Sequence, residues 1–377
     1  MRITAVETFH IAPRWLVVKL TTDAGIVGFG EPIVEGKART VETAVQEMAN
    51  YLVGQDPRRI EHHWQAIHRG GFYRGGPVLT SALSGLEQAM WDIKGKALGV
   101  PVYELLGGHV RESVRMYAHC HGETLEILGA TARQRMADGF DAVKLAIDGP
   151  AWPIETPAWV DEQVARVALV RDIVGPTVDI AVDFHGRVGP ALANVLIEQL
   201  SPCRLMFVEE PCLPDNPSAM AGIAARTTTP IATGERLFTR WQYRELLESQ
   251  AVAVVQPDLC HVGGIFEARK IAAMAETYYV SVAPHNPLGP ISLAACLQLD
   301  ACTPNFLIQE HPTLDDGSDL GVGILAEPFQ VVGGSIAIPT GPGLGIEVDE
   351  DALERNKTDG DWETPRFWHD DGSVAEW

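Results

Sequence analysis

The sequence predicts a parallel α/β barrel preceded by a small domain of strands followed by helices. Three observations predict it. Six polar residues, Asp183, Glu209, Glu235, Asp258, His285 and Glu310, stand at near-even intervals; subtraction of positions gives gaps of 26, 26, 23, 27 and 25. Each ends a short apolar run (IAVD, LMFVE, PIATGE, VAVVQPD, VSVAPH, NFLIQE), and one strand, one helix and two short loops use about that many residues. The pattern of the chain also changes near residue 114, from strands then helices to strict alternation, which is the order of a parallel α/β fold.

Taken in order, residues 3–32 alternate apolar and polar in ITAVETFHI and WLVVKLTT, then turn at Asp23-Ala24-Gly25 into IVGFGE. This reads as an antiparallel meander. Helical periodicity follows in TVETAVQEMANYLV, with Thr40 as its expected cap, in IEHHWQAIHR, and in LTSALSGLEQAMWDIKGKALG, which Gly99 ends before Pro101. His62 and His63 in the second helix are expected at the surface. Beyond 114, strands such as VRMYAHC, AVKLAI and VDIAVDF are separated by helical stretches such as LEILGATARQRMADG. The connection after Ile147, DGPAWPIETPAW, is long and rich in Pro and Trp, and is expected to be an ordered surface insertion. After Glu310 come the strand-like runs FQVVGG and SIAIP and a polar tail ending SVAEW.

Size and composition bound the function. The 377 residues suffice for a barrel of roughly 250 residues plus a second domain. Hydrophobic residues make up 46%, yet no run approaches the ~20 residues that span a membrane, and the N-terminus carries no signal-peptide pattern. Six scattered cysteines with no C-x-x-C pair argue against a disulfide framework or a structural zinc site, so a cytoplasmic protein is expected. A net charge of −21 without a basic patch argues against nucleic-acid binding. It also opposes the approach of an anionic substrate, so attraction must come locally, from a metal or a few arginines. Only seven of the 29 basic residues are lysines, a bias that either a high-salt habitat or a GC-rich genome produces.

In such a barrel the C-terminal strand ends carry the chemistry. Asp183, Glu209 and Glu235 end three consecutive strands, so their carboxylates can converge. Converging carboxylates repel unless a cation joins them, and an all-oxygen set without cysteine selects a hard ion, Mg²⁺ first and Mn²⁺ as a substitute. The plainer reading of any one of them is a helix cap or a partner of Arg187 or Arg236. Asp258 and His285 lie on adjacent strand ends. A carboxylate bound to an imidazole fixes its tautomer and raises its basicity, which suits a general base. His185, two residues past Asp183, shares its face if the strand continues, and is a candidate second acid/base group. Glu310 is expected to orient a group or to hydrogen-bond developing charge. GFGEP lacks the third glycine of a dinucleotide fingerprint, and no P-loop is present.

These residues lie within longer motifs, DAGIVGFGEP, FYRGGP, QAMWDIKGKALG, DFHGRV, FVEEP, GERLF, QPDLCHVGGI, APHNPLGPI and SVAEW, that together resemble the enolase superfamily in its mandelate-racemase-like subgroup. The resemblance implies a (β/α)7β modified TIM barrel under an α+β capping domain built from both ends of the chain. It divides the sequence into a cap (1–113), a barrel (114–327) and a C-terminal segment completing the cap (328–377). It implies Mg²⁺ on Asp183, Glu209 and Glu235, His285 with Asp258 as the base that takes the C2 proton of a sugar acid, and His185 as the acid for the departing 3-hydroxyl. Glu310 is implied to help hold the substrate carboxylate or its enediolate form. The implied product is a 2-keto-3-deoxy acid, and the implied partners are a small sugar acid and further copies of the same chain. Among aldonates D-galactonate is expected first, with D-gluconate and D-xylonate as rivals and an acid-sugar racemase or epimerase further off. Members with a lysine base carry Lys-x-Lys after the second barrel strand; here the segment is Lys144-Leu145-Ala146, so Ala146 counts against racemases and cycloisomerases. Lys144 is left either as a cation near the metal or as a strand-end ion-pair partner. Substrate contacts are expected from the cap at Arg14, Trp15 and Tyr73, residues that equally suit packing between domains.

Overall fold

The computed structural model describes residues 1–377. Strands β1 (Ile3–Ile11), β2 (Trp15–Thr22) and β3 (Val27–Gly30) form an antiparallel meander with Ile11 opposite Trp15 and Thr21 opposite Val27. The second turn needs Gly25, which takes φ +74°, the left-handed region that costs a side chain with a Cβ. Helices α1 (Ala38–Leu52), α2 (Ile60–Gly70), α3 (Pro77–Leu98) and the short α4 (Val102–Leu105) follow. Helix α1 starts two residues before the expected Thr40 cap, because the Lys37 carbonyl already accepts from the Thr40 and Val41 amides at 3.0 and 3.1 Å. His63, expected at the surface, is fully buried between the Tyr51 hydroxyl (3.0 Å) and the Asp56 carbonyl (2.8 Å). A histidine on the inward face of an amphipathic helix looks polar in sequence, but its two ring nitrogens can both be satisfied inside.

Helix α3 is buried along most of its length, and its packing fixes the cap. A Cβ on Gly30 would run into the Gly85 carbonyl, so strand and helix touch backbone to backbone. Its polar residues serve other elements' orphan amides. Glu87 accepts from Ile265 and Phe266 N–H (2.8 and 3.0 Å), and Asp92 accepts from Phe29 and Leu344 N–H (3.1 and 2.9 Å). Glu31, at the end of β3, similarly accepts from Gly289 and Ser292 N–H (2.8 and 2.9 Å). Two cap carboxylates thus cap two barrel helices whose own N-cap residues are glycines without a side chain.

The barrel runs β4 (Ser113–His119), α5 (Leu125–Ala137), β5 (Ala142–Ala146), α6 (Pro157–Val174), β6 (Asp179–Asp183), α7 (Pro190–Leu200), β7 (Phe207–Glu209) and α8 (Pro217–Ala224). It continues β8 (Ile231–Thr233), α9 (Arg240–Glu248), β9 (Val254–Val255), α10 (Ile265–Glu276), β10 (Ser281–Val282), α11 (Pro290–Cys302) and β11 (Gln309–His311). Neighbours pair in parallel from β4 to β10, β11 pairs with β4, and the Val282–Phe306 bridge closes the ring. Eight strands and seven intervening helices make a (β/α)7β barrel. In the segment 328–377, FQVVGG yields no named strand, while β12 (Ser335–Ala337) adds antiparallel to the start of β4. Helix α12 (Glu350–Arg355) leads back to the cap, where Thr358 N–H donates to the His10 carbonyl at 2.8 Å. No helix is long and apolar enough to cross a membrane, and all six cysteines are free and buried.

One layer of the barrel interior takes a single residue from each strand or its flank: Tyr117, Ala142, Ala181, Phe207, Ala232, Val254, Ala283 and Ile308. Large and small residues alternate unevenly around it, so Phe207 fills space its alanine neighbours leave. Phe207→Ala is expected to lower unfolding free energy by about 3–5 kcal/mol, read by chemical denaturation with activity per folded molecule preserved. A loss under about 1 kcal/mol would mean the layer collapses to refill the space.

Candidate active site

Side chains on a strand repeat every second residue, so the position two beyond that layer lies one level higher, at the C-terminal mouth. Those positions are His119, Lys144, Asp183, Glu209, Gly234, Gln256, His285 and Glu310. The site is the next storey of the same pleat. Glu235, one residue past Gly234, and Asp258, two past Gln256, stand beyond that level, carried by the loops after β8 and β9.

Asp183, Glu209 and Glu235 bring ligand oxygens within 4.8 Å of one another. Asp183 and Glu209 are directly paired across β6 and β7. Asp183 Oδ2, Glu209 Oε2 and Glu235 Oε2 are buried and accept no hydrogen bond. Buried carboxylate oxygens that face one another with only the Lys144, His185 and His285 nitrogens beside two of them are costly, and a hard divalent cation would satisfy all three, so the residues fit one. The charge strain is visible in their proton affinities. Burial and the Asp183 charge push Glu209 well above the usual carboxylate range, and burial with the neighbouring Glu210 charge pushes Glu235 up to about 8. Asp183 goes the other way. Burial would raise it, but His185, Lys144 and the His185 amide hold it low.

Lys144, half of the expected ambiguity, is resolved geometrically. Its buried ammonium lies 2.7 Å from Glu209, 3.0 Å from Glu310 and 3.1 Å from Asp183. It is both an ion-pair partner and the cation nearest the carboxylate cluster. Ala146 stands opposite Asp183 in the β5–β6 register, so the second position of Lys144-Leu145-Ala146 adds no further amine beside Lys144. Glu310 is fully engaged. One oxygen meets His119 Nε2 (2.8 Å) and Lys144, and the other accepts from Asn286 N–H (2.7 Å). Burial opposes its ionisation, but Lys144, His285 and His119 hold it well below the usual range. These partners and that direction fit a carboxylate that orients His119, Lys144 and the Asn286 amide.

His285 Nδ1 lies 2.8 Å from Asp258 Oδ2, whose other oxygen accepts from Cys260 N–H at 2.6 Å. That pairing leaves Nε2 as the atom facing the carboxylates, 3.3 Å from Glu235. His185 arrives differently from the expected pleat. The strand ends at Asp183, and His185 takes φ +50°, a left-handed kink that turns its ring back over the site. Its Nε2 is 3.1 Å from Asp183 Oδ2. Burial would lower both imidazoles. For His285 the Glu235, Glu310 and Asp258 carboxylates outweigh it and raise the ring well above its ordinary value; for His185 burial wins, aided by Lys144, Arg187 and Arg236, and it falls to about 4. Both rings open on one cavity of about 440 Å³, with Glu235, Arg236, His261 and Trp377 among its walls. A larger cavity alongside, about 540 Å³, holds none of the acid/base set.

The expected cap contacts divide. Arg14 pairs with Glu35 at 2.8 Å, a residue lining the cavity, and donates to the Pro287 carbonyl at 3.2 Å, just beyond His285. Trp15 is 2% exposed and packs in the core rather than on the cavity. Tyr73 is 87% exposed beside Phe72, on a separate cavity of about 380 Å³. Sequence reasoning missed His119, His261 and Trp377. The two-residue offset from the interior layer would have found His119. His261 is turned into the cavity by Ser81 of α3, 2.9 Å from its Nδ1, a contact 180 residues away in sequence. Burial raises the Cys260 thiol far above its usual range, which disfavours the thiolate a nucleophile needs.

Comparison with known proteins adds to this geometry. Residues 2–107 match the family described as mandelate racemase / muconate lactonizing enzyme, N-terminal domain, and residues 128–352 match enolase C-terminal domain-like. The D-galactonate dehydratases of Ralstonia nicotianae and of Xanthomonas campestris are 49% and 48% identical over 382 aligned positions, covering all of both chains in each case. A solved mandelate racemase/muconate lactonizing enzyme from Sulfitobacter sp is 34% identical with a TM-score of 0.88, over 97% of this chain and 96% of that one.

Proposed function

The chain belongs to the enolase superfamily, in its mandelate racemase / muconate lactonizing enzyme branch, and from that premise we propose that it is a sugar-acid dehydratase acting on D-galactonate. The observation that carries the reading is the Asp258–His285 pair facing the Asp183–Glu209–Glu235 cluster, with His185 across the same cavity. His285 Nε2 takes the C2 proton, and Asp258 holds the ring for that transfer. His185 gives a proton to the 3-hydroxyl as the C3–O bond breaks, and water leaves. The enol so formed becomes a 2-keto-3-deoxy acid. Lys144, fixed between Glu209 and Glu310, keeps positive charge beside the position a substrate carboxylate would take.

Asp183, Glu209 and Glu235 would hold Mg²⁺, which when bound supplies stabilisation of the negative charge that develops on the substrate carboxylate as the C2–H bond breaks. Neighbouring carboxylates raise His285 and burial lowers His185, so a cation on the cluster would bring His285 toward the neutral form a base needs. Glu235 is the strongest of the charges that raise His285, so engaging that carboxylate frees the base. The anionic substrate in turn favours a proton on His185. A racemase is disfavoured by Ala146, which leaves β5 without a second lysine beside Lys144. A cytoplasmic, self-associating enzyme is part of the same reading.

A panel of aldonates tests the assignment. D-galactonate is expected to give 2-keto-3-deoxy acid, with D-gluconate and D-xylonate slower; no keto acid from any aldonate would sink the dehydratase. Chelation is expected to abolish turnover and to leave the melting temperature nearly unchanged, because Lys144 already neutralises part of the cluster and catalytic Mg²⁺ binds weakly and keeps waters. Differential scanning calorimetry with and without chelator reads this. Full activity after exhaustive chelation would refute the metal assignment.

A further inference from the structure

The motif SVAEW has no role in the chemistry so far, yet the fold brings its tryptophan to the acid. Residues 367–375 fold back as a small hairpin, with Ala375 N–H donating to the Phe367 carbonyl at 3.0 Å and His369 N–H to the Ser373 carbonyl at 2.9 Å. Three contacts pin it. Trp152, in the insertion after β5, stacks on His369 with ring centres 3.6 Å apart and planes 10° apart. The Arg187 guanidinium lies 4.9 Å from the Phe367 ring centre and 5.6 Å from that of Trp377. Arg187 is itself fixed by donating to the Ile147 carbonyl at 3.0 Å. The result is that the Trp377 ring stands edge-on to His185, centres 5.2 Å apart at 78°, and lines the cavity that holds His285 and Glu235.

His185 needs such a wall. It sits on a left-handed kink past the end of β6, and its Nδ1 is buried without a hydrogen-bond partner. Nothing bonded to that nitrogen fixes the ring's rotation. We propose that Trp377 is the positioning residue for His185. Its indole holds the imidazole with Nε2 toward the site and closes that side of the cavity to water, so that the tail and the Trp152 insertion serve hydroxyl expulsion specifically. The proposal rests on the reading of His185 as the acid.

The role predicts a partition rather than a general loss. C2 proton removal depends on His285 and Asp258, whereas the Trp377 ring packs on His185, Phe367 and Arg187. Full-length enzyme with Mg²⁺ and D-galactonate in D₂O gives two readouts, keto acid formed and C2 deuterium in recovered substrate. In Trp377→Ala the ratio of keto acid to exchange is expected to fall roughly ten-fold, the size of an aromatic-pair contact. Trp377→Phe is expected to restore most of it, and Trp152→Ala, which releases the hairpin, to give a smaller fall. If Trp377→Ala does not fold, by circular dichroism, the ratios in Trp377→Phe and Trp152→Ala decide. An unchanged ratio, or equal loss of exchange and product, overturns the proposal. Wild type that makes no keto acid overturns the dehydratase reading instead.

Discussion

Replacing His285 by asparagine is expected to lower kcat/KM for D-galactonate by about 100- to 10,000-fold, the range a positioned general base contributes, and to abolish C2 exchange. Asparagine keeps a similar volume, and its amide can still meet Asp258, so the barrel mouth stays packed. What disappears is the one basic nitrogen that Asp258 aims at the carboxylates, with Nδ1 2.8 Å from Oδ2 and Nε2 3.3 Å from Glu235. A stopped assay for 2-keto-3-deoxy acid, with exchange followed by mass spectrometry, measures both quantities. KM is expected to move little, because the imidazole acts on the reacting proton and not on the polyol chain. Retained exchange in this variant would assign the proton to another group.

Replacing His185 by asparagine is expected to depress keto-acid formation by a similar factor while exchange at C2 continues. The acid acts after C2 has lost its proton, so the substrate can return it and leave labelled. Some dehydration is expected to survive where solvent reaches the 3-hydroxyl. The variant also removes the imidazole from Asp183 Oδ2, 3.1 Å away, which frees that oxygen and is expected to leave cation affinity intact or raised. Isothermal titration with Mg²⁺ checks the second point. Lost affinity would show that His185 holds Asp183 in place and has no separate chemical role.

The barrel was readable because its information is local. An apolar run ending in a polar residue, repeated at strand–helix intervals, needs no partner to be recognised, and it placed Asp183, Glu209 and Glu235 on adjacent strand ends. Their neighbours were less readable for physical reasons. Lys144 looked ambiguous because its meaning lies in three carboxylates from other strands. His119 stands two residues above Tyr117 in the interior layer, but the long insertion between Lys144 and Asp183 separates it from the evenly spaced series. The sequence puts His185 beside Asp183 by a continuing pleat; the structure brings it there by a left-handed kink instead. His63 and Trp15 show the converse error. Both were read by residue type, one as surface and one as a substrate contact, and burial by distant elements overrides type. Tyr73 and Arg14 depend on how the cap loops lie over the barrel, which sequence periodicity does not encode. The hairpin that carries Trp377 is invisible for the same reason, since its anchors Trp152 and Arg187 are roughly half a chain away.

Two histidines divide one elimination in the proposed reaction, His285 taking the proton and His185 expelling the hydroxyl. Deuterium at C2 of D-galactonate recovered from D₂O, compared between His185→Asn and His285→Asn, tests it most directly. Label with His185→Asn and none with His285→Asn is the predicted result. Label with His285→Asn and none with His185→Asn would contradict the account and exchange the two roles.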